Sequence, residues 1–239
     1  MKRKYLGWVW IVFAMLMLPG CMYPKDRLAE NQLSPTDQVQ FVQKGIDEFF
    51  KEKEILPILT KDMDTPIYEK YVIDFKQMVP KFIPYVPGGA FEQGGSYLFV
   101  LTDVEKKPTV KLLDLKIVEK IADVQSRVTY YNQKKNALPV AGVVKPGYFT
   151  IQFNEIGLSK EQAVESPFSG ESLPIIMDSK GVVGVDYTKD IELVLTNNQI
   201  QLSDHSDVRE ILPQNSTYVP VKSFPYQMEN GKPALVFLP

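Results

Sequence analysis

The sequence predicts an α+β protein of two tandem small modules, each a long amphipathic helix packed on a short antiparallel sheet, behind an N-terminal signal peptide. Three observations predict it: a short apolar run after a basic start, two helical stripes of apolar residues, and short apolar strands bounded by turn residues. A helix with one apolar stripe must bury that stripe, and an antiparallel sheet with one apolar face offers the matching surface.

Composition bounds the class of protein. The chain has 239 residues, 44% of them hydrophobic, with one Cys and one His. This apolar content and single thiol exclude disordered, collagen-like and disulfide-scaffold proteins. The length suits one large domain or two small ones, each with a core of its own.

The N-terminus carries an export signal. Residues 1–4 are basic apart from the initiating Met, residues 5–18 form an uncharged apolar run of 14, and Pro19-Gly20-Cys21 closes it. A spanning helix needs roughly 20 apolar residues, so the run predicts a cleaved signal peptide over residues 1–20.

Leu18, Gly20 and Cys21 resemble the lipobox of bacterial lipoproteins. The resemblance implies that the Cys21 thiol is diacylglycerylated and that Cys21 becomes the mature N-terminus. Two acyl chains anchor a protein stably, where one chain is marginal. Residues 21–33 are then a lipidated tether, and the alternative is an ordinary signal peptide followed by an unrelated Cys.

Cleavage also changes the charge. Loss of Lys2, Arg3 and Lys4 leaves 24 basic and 29 acidic residues, so the net charge moves from −2 to −5. An acidic surface has no counterion-release drive toward nucleic acid, so no nucleic-acid partner is expected. The expected partners are the membrane, through the diacylglyceryl anchor on Cys21, and an envelope protein or wall component.

The first long helix begins at Ser34-Pro35, an N-cap followed by a Pro at the first helical position. Apolar residues then recur at helical spacing. A second stripe matches the first when the chain is shifted by 82 positions, and a Leu-Pro pair follows each helix. The stripes are Val39, Val42, Ile46, Phe49 and Phe50, and then Ile117, Ile121, Val124, Val128 and Tyr131; the Leu-Pro pairs are Leu56-Pro57 and Leu138-Pro139.

The strands that follow each helix also correspond, with a shrinking offset. Residues 72–75 align with residues 150–153, and residues 98–103 align with residues 173–178. The turn 178–181 ends in Gly181, which supplies the positive φ that closes a short hairpin. We therefore predict a first module over residues 34–115 and a second over 116–190. The alternative is one α+β domain with two similar helices.

Residues 191–239 are predicted to form an irregular C-terminal extension, because five Pro residues interrupt them. A short helix is expected over residues 207–212, and a hairpin around Asn230-Gly231.

In the first module, residues 74–83, Pro87, Gly94-Gly95 and residues 97–99 resemble the globular part of type II secretion pseudopilins and type IV pilins. The second module keeps the apolar spacing of 153–158 and a Pro/Gly loop at 166–170. The resemblance implies a helix followed by a Pro-containing turn and a hairpin. No prepilin cleavage site accompanies it, so assembly into a pilus shaft is not implied.

The whole chain resembles uncharacterised YphF-type lipoproteins of endospore-forming bacilli, through residues 21–24, 29–32, 65–68 and 100–103. That family has no assigned activity. The resemblance implies a single-membrane bacterium, and hence a location on the outer face of the cytoplasmic membrane.

Residues suited to catalysis or metal binding are few. His205 is the sole histidine, so any Ser/His or Cys/His catalysis has to use it, and no second His is present for a common zinc site. Asp204, His205, Asp207 and Glu210 are interpreted as a solvated loop with Asp207 as a helix cap. Asp178, Asp186 and Asp190 fail calcium-loop spacing and are interpreted as turn acids beside strands.

Other candidate features are aromatic or glycine-rich. Gly88-Gly89 and Gly94-Gly95 flank Phe91 and predict a loop that presents an exposed aromatic. Several aromatics could line a carbohydrate or peptide groove or pack in the core, namely Phe49-Phe50, Tyr68, Tyr71 and Tyr130-Tyr131. Lys106-Lys107 and Lys134-Lys135 are too short for lipid-headgroup patches.

These observations predict a non-enzymatic, lipid-anchored extracytoplasmic binding module that uses no cofactor or metal. The alternative is a small-ligand sensor or solute-binding lipoprotein whose second module is similar to extracellular PAS-like domains, on the pattern of residues 175–184. An envelope hydrolase is the least favoured, for want of a nucleophile–base pair.

Overall fold

The structure, a computed structural model, describes residues 33–198 and 207–237. Cys21, Asp204 and His205 lie outside these ranges, and so do the predicted signal peptide and all but the last residue of the tether. The described residues from Ser34 onward form one compact unit. No helix within the described ranges has both the length and the apolar character needed to cross a bilayer.

Helix α1 (Pro35–Lys53) follows the predicted pattern. The Ser34 side chain accepts a hydrogen bond from the Asp37 N–H, and Pro35 occupies the first turn. The predicted stripe faces inward, except that Phe50 is 44% exposed. Glu54 follows the last helical residue with a left-handed backbone that ends the helix, and its N–H donates to the Phe50 carbonyl.

The remaining elements of the first module are two single-turn helices, one 3₁₀ turn and one hairpin. They are α2 (Ile67–Lys70), α3 (Phe75–Met78), a 3₁₀ turn (Phe91–Gln93), β1 (Tyr97–Thr102) and β2 (Thr109–Asp114). Strands β1 and β2 pair antiparallel from Tyr97↔Asp114 to Thr102↔Thr109. Single bridges Ile58↔Ile73 and Val72↔Val100 extend this ribbon.

Helix α4 (Leu115–Lys135) begins the second module. The Asp114 carboxylate caps it by accepting from the Lys116 N–H, which places the junction between modules at a helix cap. The stripe residues Ile117, Ile121, Val124 and Val128 are buried. The helix ends at Asn136, again left-handed, whose N–H donates to the Asn132 carbonyl.

Strands β3 (Val140–Lys145), β4 (Tyr148–Ile151), β5 (Ala163–Glu165), β6 (Ser172–Asp178) and β7 (Val183–Val185) build the second sheet. Its order is β3-β4-β6-β5, with β7 also paired to β6, and every pairing is antiparallel. A 3₁₀ turn (Phe153–Ile156) follows β4. Gly181 closes the β6–β7 hairpin at φ +80°, which confirms the predicted turn.

Helix α5 (Thr188–Asn198) was not predicted, and the predicted boundary at residue 190 falls inside it. The remainder of the extension contains a 3₁₀ turn (Val208–Glu210), α6 (Ile211–Gln214), β8 (Tyr226–Glu229) and β9 (Lys232–Leu235). The predicted short helix near 207–212 and the hairpin at Asn230-Gly231 are confirmed.

Residues 216–223, here called the C-terminal strap, hydrogen-bond to both hairpins. Leu112 of β2 donates to the Thr217 carbonyl and accepts from the Val219 N–H. Val185 of β7 donates to the Lys222 carbonyl. The extension, predicted as irregular, therefore adds backbone hydrogen bonds to the edges of both sheets.

Buried apolar residues form two clusters. One lies between α1 and the β1–β2 hairpin, and the other between α4, the five-stranded sheet and the C-terminal extension. The α+β class predicted from the sequence, with long amphipathic helices packed on antiparallel strands, is confirmed.

Candidate functional site

The most chemically distinctive open surface lies along the exposed side of α4, in a depression of about 510 Å³ that we call the α4 groove. One wall is the C-terminal half of α4, and the other is the end of the 3₁₀ turn after β4. The lining residues are Ser126, Arg127, Tyr130, Tyr131, Lys134, Lys135, Glu155, Ile156 and Gly157.

The floor of the α4 groove is anchored in the core. Ile156 is 7% exposed, and Tyr131 is half-buried against the same apolar cluster. Arg127 donates from Nε to the Asp123 carboxylate at 3.0 Å and from Nη1 to the Ile156 carbonyl at 3.4 Å. These bonds hold the Arg127 guanidinium against the 3₁₀ turn, so the two walls are joined at that residue.

The rim of the α4 groove is aromatic and cationic. Tyr130 is 58% exposed, and the Lys134 ammonium lies 4.5 Å from the centre of its ring. Within the described part of the chain, neither Lys134 nor Lys135 forms an ion pair with a carboxylate. Glu155 is the single acid in the lining. The groove is thus locally positive on a chain whose overall charge is negative.

The corresponding face of α1 has a different character. Shifting by 82 positions places Glu48 where Tyr130 stands and Glu52 where Lys134 stands. Glu52 already binds Lys53 at 3.2 Å and Lys81 at 2.5 Å, and these lysines lower the pKa of its carboxyl. On the first module, therefore, acidic and basic side chains are paired at the position where the second module has unpaired lysines.

A second candidate site is a cavity of about 440 Å³ between α2, α4 and the C-terminal strap. Its walls are mainly apolar, and include Tyr68, Ile121, Val183 and Phe224. Its main charged groups are paired: Lys222 binds Glu69 Oε2 at 2.8 Å, and Arg209 binds Asp207. We call it the junction cavity.

One atom in the wall of the junction cavity has an unmet hydrogen-bonding capacity. Glu69 Oε1 is buried, and it has no hydrogen-bond partner among the described residues. Leaving a buried acceptor unpaired costs about 1–3 kcal/mol, so a group that donated a hydrogen bond to Glu69 Oε1 would be stabilising there. Nothing in the sequence pattern pointed to Glu69, because its partner Lys222 lies 153 positions away.

Two of the acids considered for metal binding have structural partners. Asp178 Oδ1 accepts from the N–H groups of Lys180 and Val182, and so shapes the β6–β7 turn. Asp186 accepts from the Thr188 N–H and from the Tyr226 hydroxyl. Both are acids at strand ends, as interpreted from the sequence. In the described ranges no cluster of three or more Asp, Glu, His or Cys side chains is suited to a metal ion.

Asp190 differs from the interpretation as a turn acid, because it lies in α5 and is 1% exposed. Its carboxylate accepts from the Ser166 hydroxyl at 2.7 Å and from the Ser169 hydroxyl at 2.6 Å. Burial raises the pKa of the Asp190 carboxyl, and the two hydroxyls oppose that shift. Since Ser166 also accepts from two backbone N–H groups, this cluster fixes the Pro/Gly loop onto α5.

Of the constellation around His205, only Asp207 and Glu210 are described. Asp207 caps the 3₁₀ turn by accepting from the Arg209 N–H, as predicted. Its carboxylate also accepts from Arg209 Nε at 2.9 Å. The Arg209 guanidinium lies over the Tyr68 ring, 5.6 Å from its centre.

The other aromatic candidates divide between core and surface. Phe49 and Tyr68 are buried, so core packing accounts for them, and Tyr71 is half-buried beside the first cluster. Phe91 is 61% exposed, on a loop whose Gly89 N–H donates to Gln38 Oε1. The prediction that this loop presents an aromatic is confirmed.

Comparison with known proteins adds one finding. Residues 35–114 match the model of the YphF family N-terminal domain. The match supports the YphF-type resemblance for this third of the chain, and it ends at Asp114, the residue that caps α4. No curated protein and no solved structure matches the chain. Both the α4 groove and most of the junction cavity lie outside the matched residues.

Proposed function

We propose that the protein is a non-enzymatic, lipid-anchored binding module on the outer face of the cytoplasmic membrane, and that the α4 groove is its binding surface. The exposed pairing of an aromatic ring with unpaired cations carries this proposal. Tyr and Arg are enriched where proteins bind partners, and the α4 groove is lined by Tyr130, Tyr131 and Arg127. The partner is an envelope protein or a wall component, reached by a body tethered through Cys21.

We further propose that the two modules are copies of one unit, as the helix stripes suggest. Asp74 N–H donates to the Pro57 carbonyl at 2.8 Å, and Gln152 N–H donates to the Pro139 carbonyl at 2.7 Å. The bridge Ile58↔Ile73 has its counterpart in the pair Val140↔Ile151. These bonds join the same aligned positions in each module. The likeness of each module to pilin globular domains stays a prediction.

Duplication gives the proposed function a physical basis. One copy can keep the packing that supports the fold while the exposed face of the other changes. The face of α4 differs from that of α1 where side chains reach solvent, at Tyr130 against Glu48 and at Lys134 against Glu52. Substitutions at exposed positions of this kind usually change the free energy of unfolding little.

Photo-crosslinking on intact cells tests the binding surface. A photoreactive phenylalanine replaces Tyr130 in the full-length protein, and the matched control replaces Leu193, which is 43% exposed on α5. We expect crosslinks to one envelope component from position 130 and none from position 193. Equal products at both positions, or none at either, would contradict the proposal.

Membrane fractionation tests the anchor separately. The Cys21→Ser variant cannot accept a diacylglyceryl group, so we expect processing to fail or the protein to leave the membrane. A variant that is processed at residue 20 and still fractionates with the membrane would show that Cys21 is not the anchor.

The junction cavity favours a second candidate function, a small-ligand sensor with a PAS-like second module. Its volume suits a small molecule, and the unpartnered Glu69 Oε1 offers an acceptor. A ligand that binds only the folded protein raises its melting temperature. A thermal-shift screen of metabolites should then find a compound whose effect disappears in Glu69→Leu.

An envelope hydrolase stays the least favoured function. A hydrolase of the Ser/His or Cys/His type would need His205, so a His205→Ala variant that keeps the protein's activity in cells would argue against it.

A further inference from the structure

This inference rests on the proposed function, in which the α4 groove is the binding surface. Several features of the groove together indicate a class of ligand. Lys134 and Lys135 supply unpaired positive charge, and Arg127 adds a guanidinium that is already paired with Asp123, while Glu155 is the single acid in the lining. Because the two lysines have no carboxylate partner in the described ranges, an anion can approach them without breaking an ion pair. The groove therefore favours an anionic ligand.

The spacing of these groups favours an extended ligand. Arg127 and Lys135 lie eight residues apart on one helix, which separates them by about 12 Å along its axis. A single phosphate or carboxylate cannot contact both ends of such a row. A chain with repeated anionic groups can contact them together.

The aromatic rim favours a ligand that also has apolar ring faces. Lys134 lies over the Tyr130 ring, while 58% of Tyr130 stays exposed. The C–H faces of sugar rings pack flat against an exposed aromatic ring, whereas binding of an acidic peptide does not require an aromatic ring. The attraction of cations to a helix C-terminus explains why lysines stand in the last turn of α4. It does not explain an exposed tyrosine beside them.

We infer that the α4 groove binds an anionic polysaccharide, a polymer of sugar units that carry phosphate or carboxylate groups. Lys134 and Lys135 would contact its charged groups, and Tyr130 would pack on a ring between them. Arg127, held by Asp123 and the Ile156 carbonyl, would provide a fixed charge at the other end.

Binding of four polymers to the full-length lipidated protein in zwitterionic nanodiscs tests this inference. Phosphorylated dextran and polygalacturonate supply anionic sugar chains, and they separate a preference for phosphate from one for carboxylate. Unmodified dextran has sugar without charge, and poly-L-glutamate has charge without sugar. We expect at least one anionic sugar polymer to bind more tightly than both single-feature polymers, and its affinity to fall about tenfold between 50 and 200 mM salt.

Variants connect binding to the groove. We expect Lys134→Gln/Lys135→Gln to weaken binding of the anionic sugar polymer about tenfold or more. The matched control is Lys51→Gln/Lys53→Gln in the last turn of α1, which removes the same charge and should change affinity less than twofold. Tyr130→Ser should weaken the sugar polymer several-fold and leave poly-L-glutamate unaffected. These positions are exposed or partly exposed, so unchanged unfolding curves would show that the fold is intact.

Several results would overturn the inference. Equal binding of poly-L-glutamate would indicate an acidic peptide or simple ion exchange, and equal binding of dextran would remove the role of charge. An equal loss in the α1 control would place binding elsewhere, and no binding of any polymer would exclude the ligand class. If one of these results occurs while position 130 crosslinks to an envelope protein, the proposed function is supported and only the polysaccharide inference is contradicted.

Discussion

Gln43 and Gln125 hold their two hairpins with the same pair of hydrogen bonds. Gln43 Oε1 accepts from the Val110 N–H at 2.7 Å and its Nε2 donates to the Pro108 carbonyl at 3.0 Å. Gln125 Oε1 accepts from the Val183 N–H at 2.7 Å and its Nε2 donates to the Gly181 carbonyl at 2.9 Å. Each side chain thus ties a long helix to the start of the second strand of its hairpin.

Substitution of these glutamines should destabilise the protein to a similar extent. Gln43→Leu or Gln125→Leu leaves a backbone N–H and a carbonyl without their partners, so we expect each to lower the free energy of unfolding by about 1–3 kcal/mol. Urea denaturation measures the loss. Gln40→Leu and Gln133→Leu, at exposed positions of the same helices, are the controls and should change it by less than about 0.5 kcal/mol. A loss confined to one module would mean that the two bonds are not equivalent in energy.

The buried carboxyl of Asp190 should make stability depend on pH. Burial raises its pKa in the folded protein above the unfolded value of about 3.9, so the folded state binds the proton more tightly. This contribution to stability is present in full below the unfolded pKa and is lost as the pH rises through the folded pKa. Asp190→Asn carries no such charge. We therefore expect the stability of wild type relative to Asp190→Asn to fall as the pH rises from about 3.5 to 7.

Urea titrations at several pH values measure that difference. Asp74→Asn is a control, because Asp74 caps α3 at a partly exposed position. A constant difference between wild type and Asp190→Asn across the range would show that the Ser166 and Ser169 hydroxyls keep the carboxyl at its ordinary pKa.

Removal of the Tyr226 hydroxyl should weaken the attachment of the C-terminal extension. This hydroxyl donates to Asp186 at 2.8 Å and accepts from the buried Tyr187 N–H at 2.9 Å. Tyr226→Phe leaves that N–H unpaired, so we expect a loss of about 1–3 kcal/mol in the free energy of unfolding. Tyr130→Phe, at an exposed position, is the control. Hydrogen exchange of Tyr187 and Val185 amides should accelerate in Tyr226→Phe and stay unchanged in the control.

A double-mutant cycle on Glu69 and Lys222 measures the one ion pair that joins α2 to the C-terminal strap. Both side chains are partly buried, at 19% and 29% exposure, so removal of one leaves the other charge poorly solvated. We expect the double variant Lys222→Met/Glu69→Leu to lose less stability than the sum of the two single losses, with a coupling of about 1 kcal/mol. Additive losses would show that the pair contributes nothing beyond its separate contacts.

The local parts of the fold were predictable because they depend on neighbours in sequence. The stripe through Val39, Val42 and Ile46 repeats with the helical period, and Ser34-Pro35 is a strong helix start. Gly181 and Asn230-Gly231 mark their turns by the backbone angles they allow. Helix α5 was missed, because the Pro-rich stretch beyond it favoured irregular structure.

The candidate sites were predictable only in part. Tyr130 and Tyr131 stood out as aromatics of the second helix, and Lys134-Lys135 as a basic pair. Their grouping with Arg127 and Glu155 depends on where the 3₁₀ turn after β4 packs, since Arg127 reaches a carbonyl 29 positions away. The spacing of residues in the sequence does not predict that contact.

The sequence by itself determined the α+β class, the two long helices with their caps and inward faces, and the turns, because each follows from periodicity or from a residue's backbone preference. Only the tertiary structure decided that the C-terminal strap pairs with Leu112 and Val185, that Glu69 meets Lys222, and that a positive groove opens beside α4. Such contacts join residues far apart in the chain, and which of many compatible polar or apolar partners meet depends on how whole elements pack.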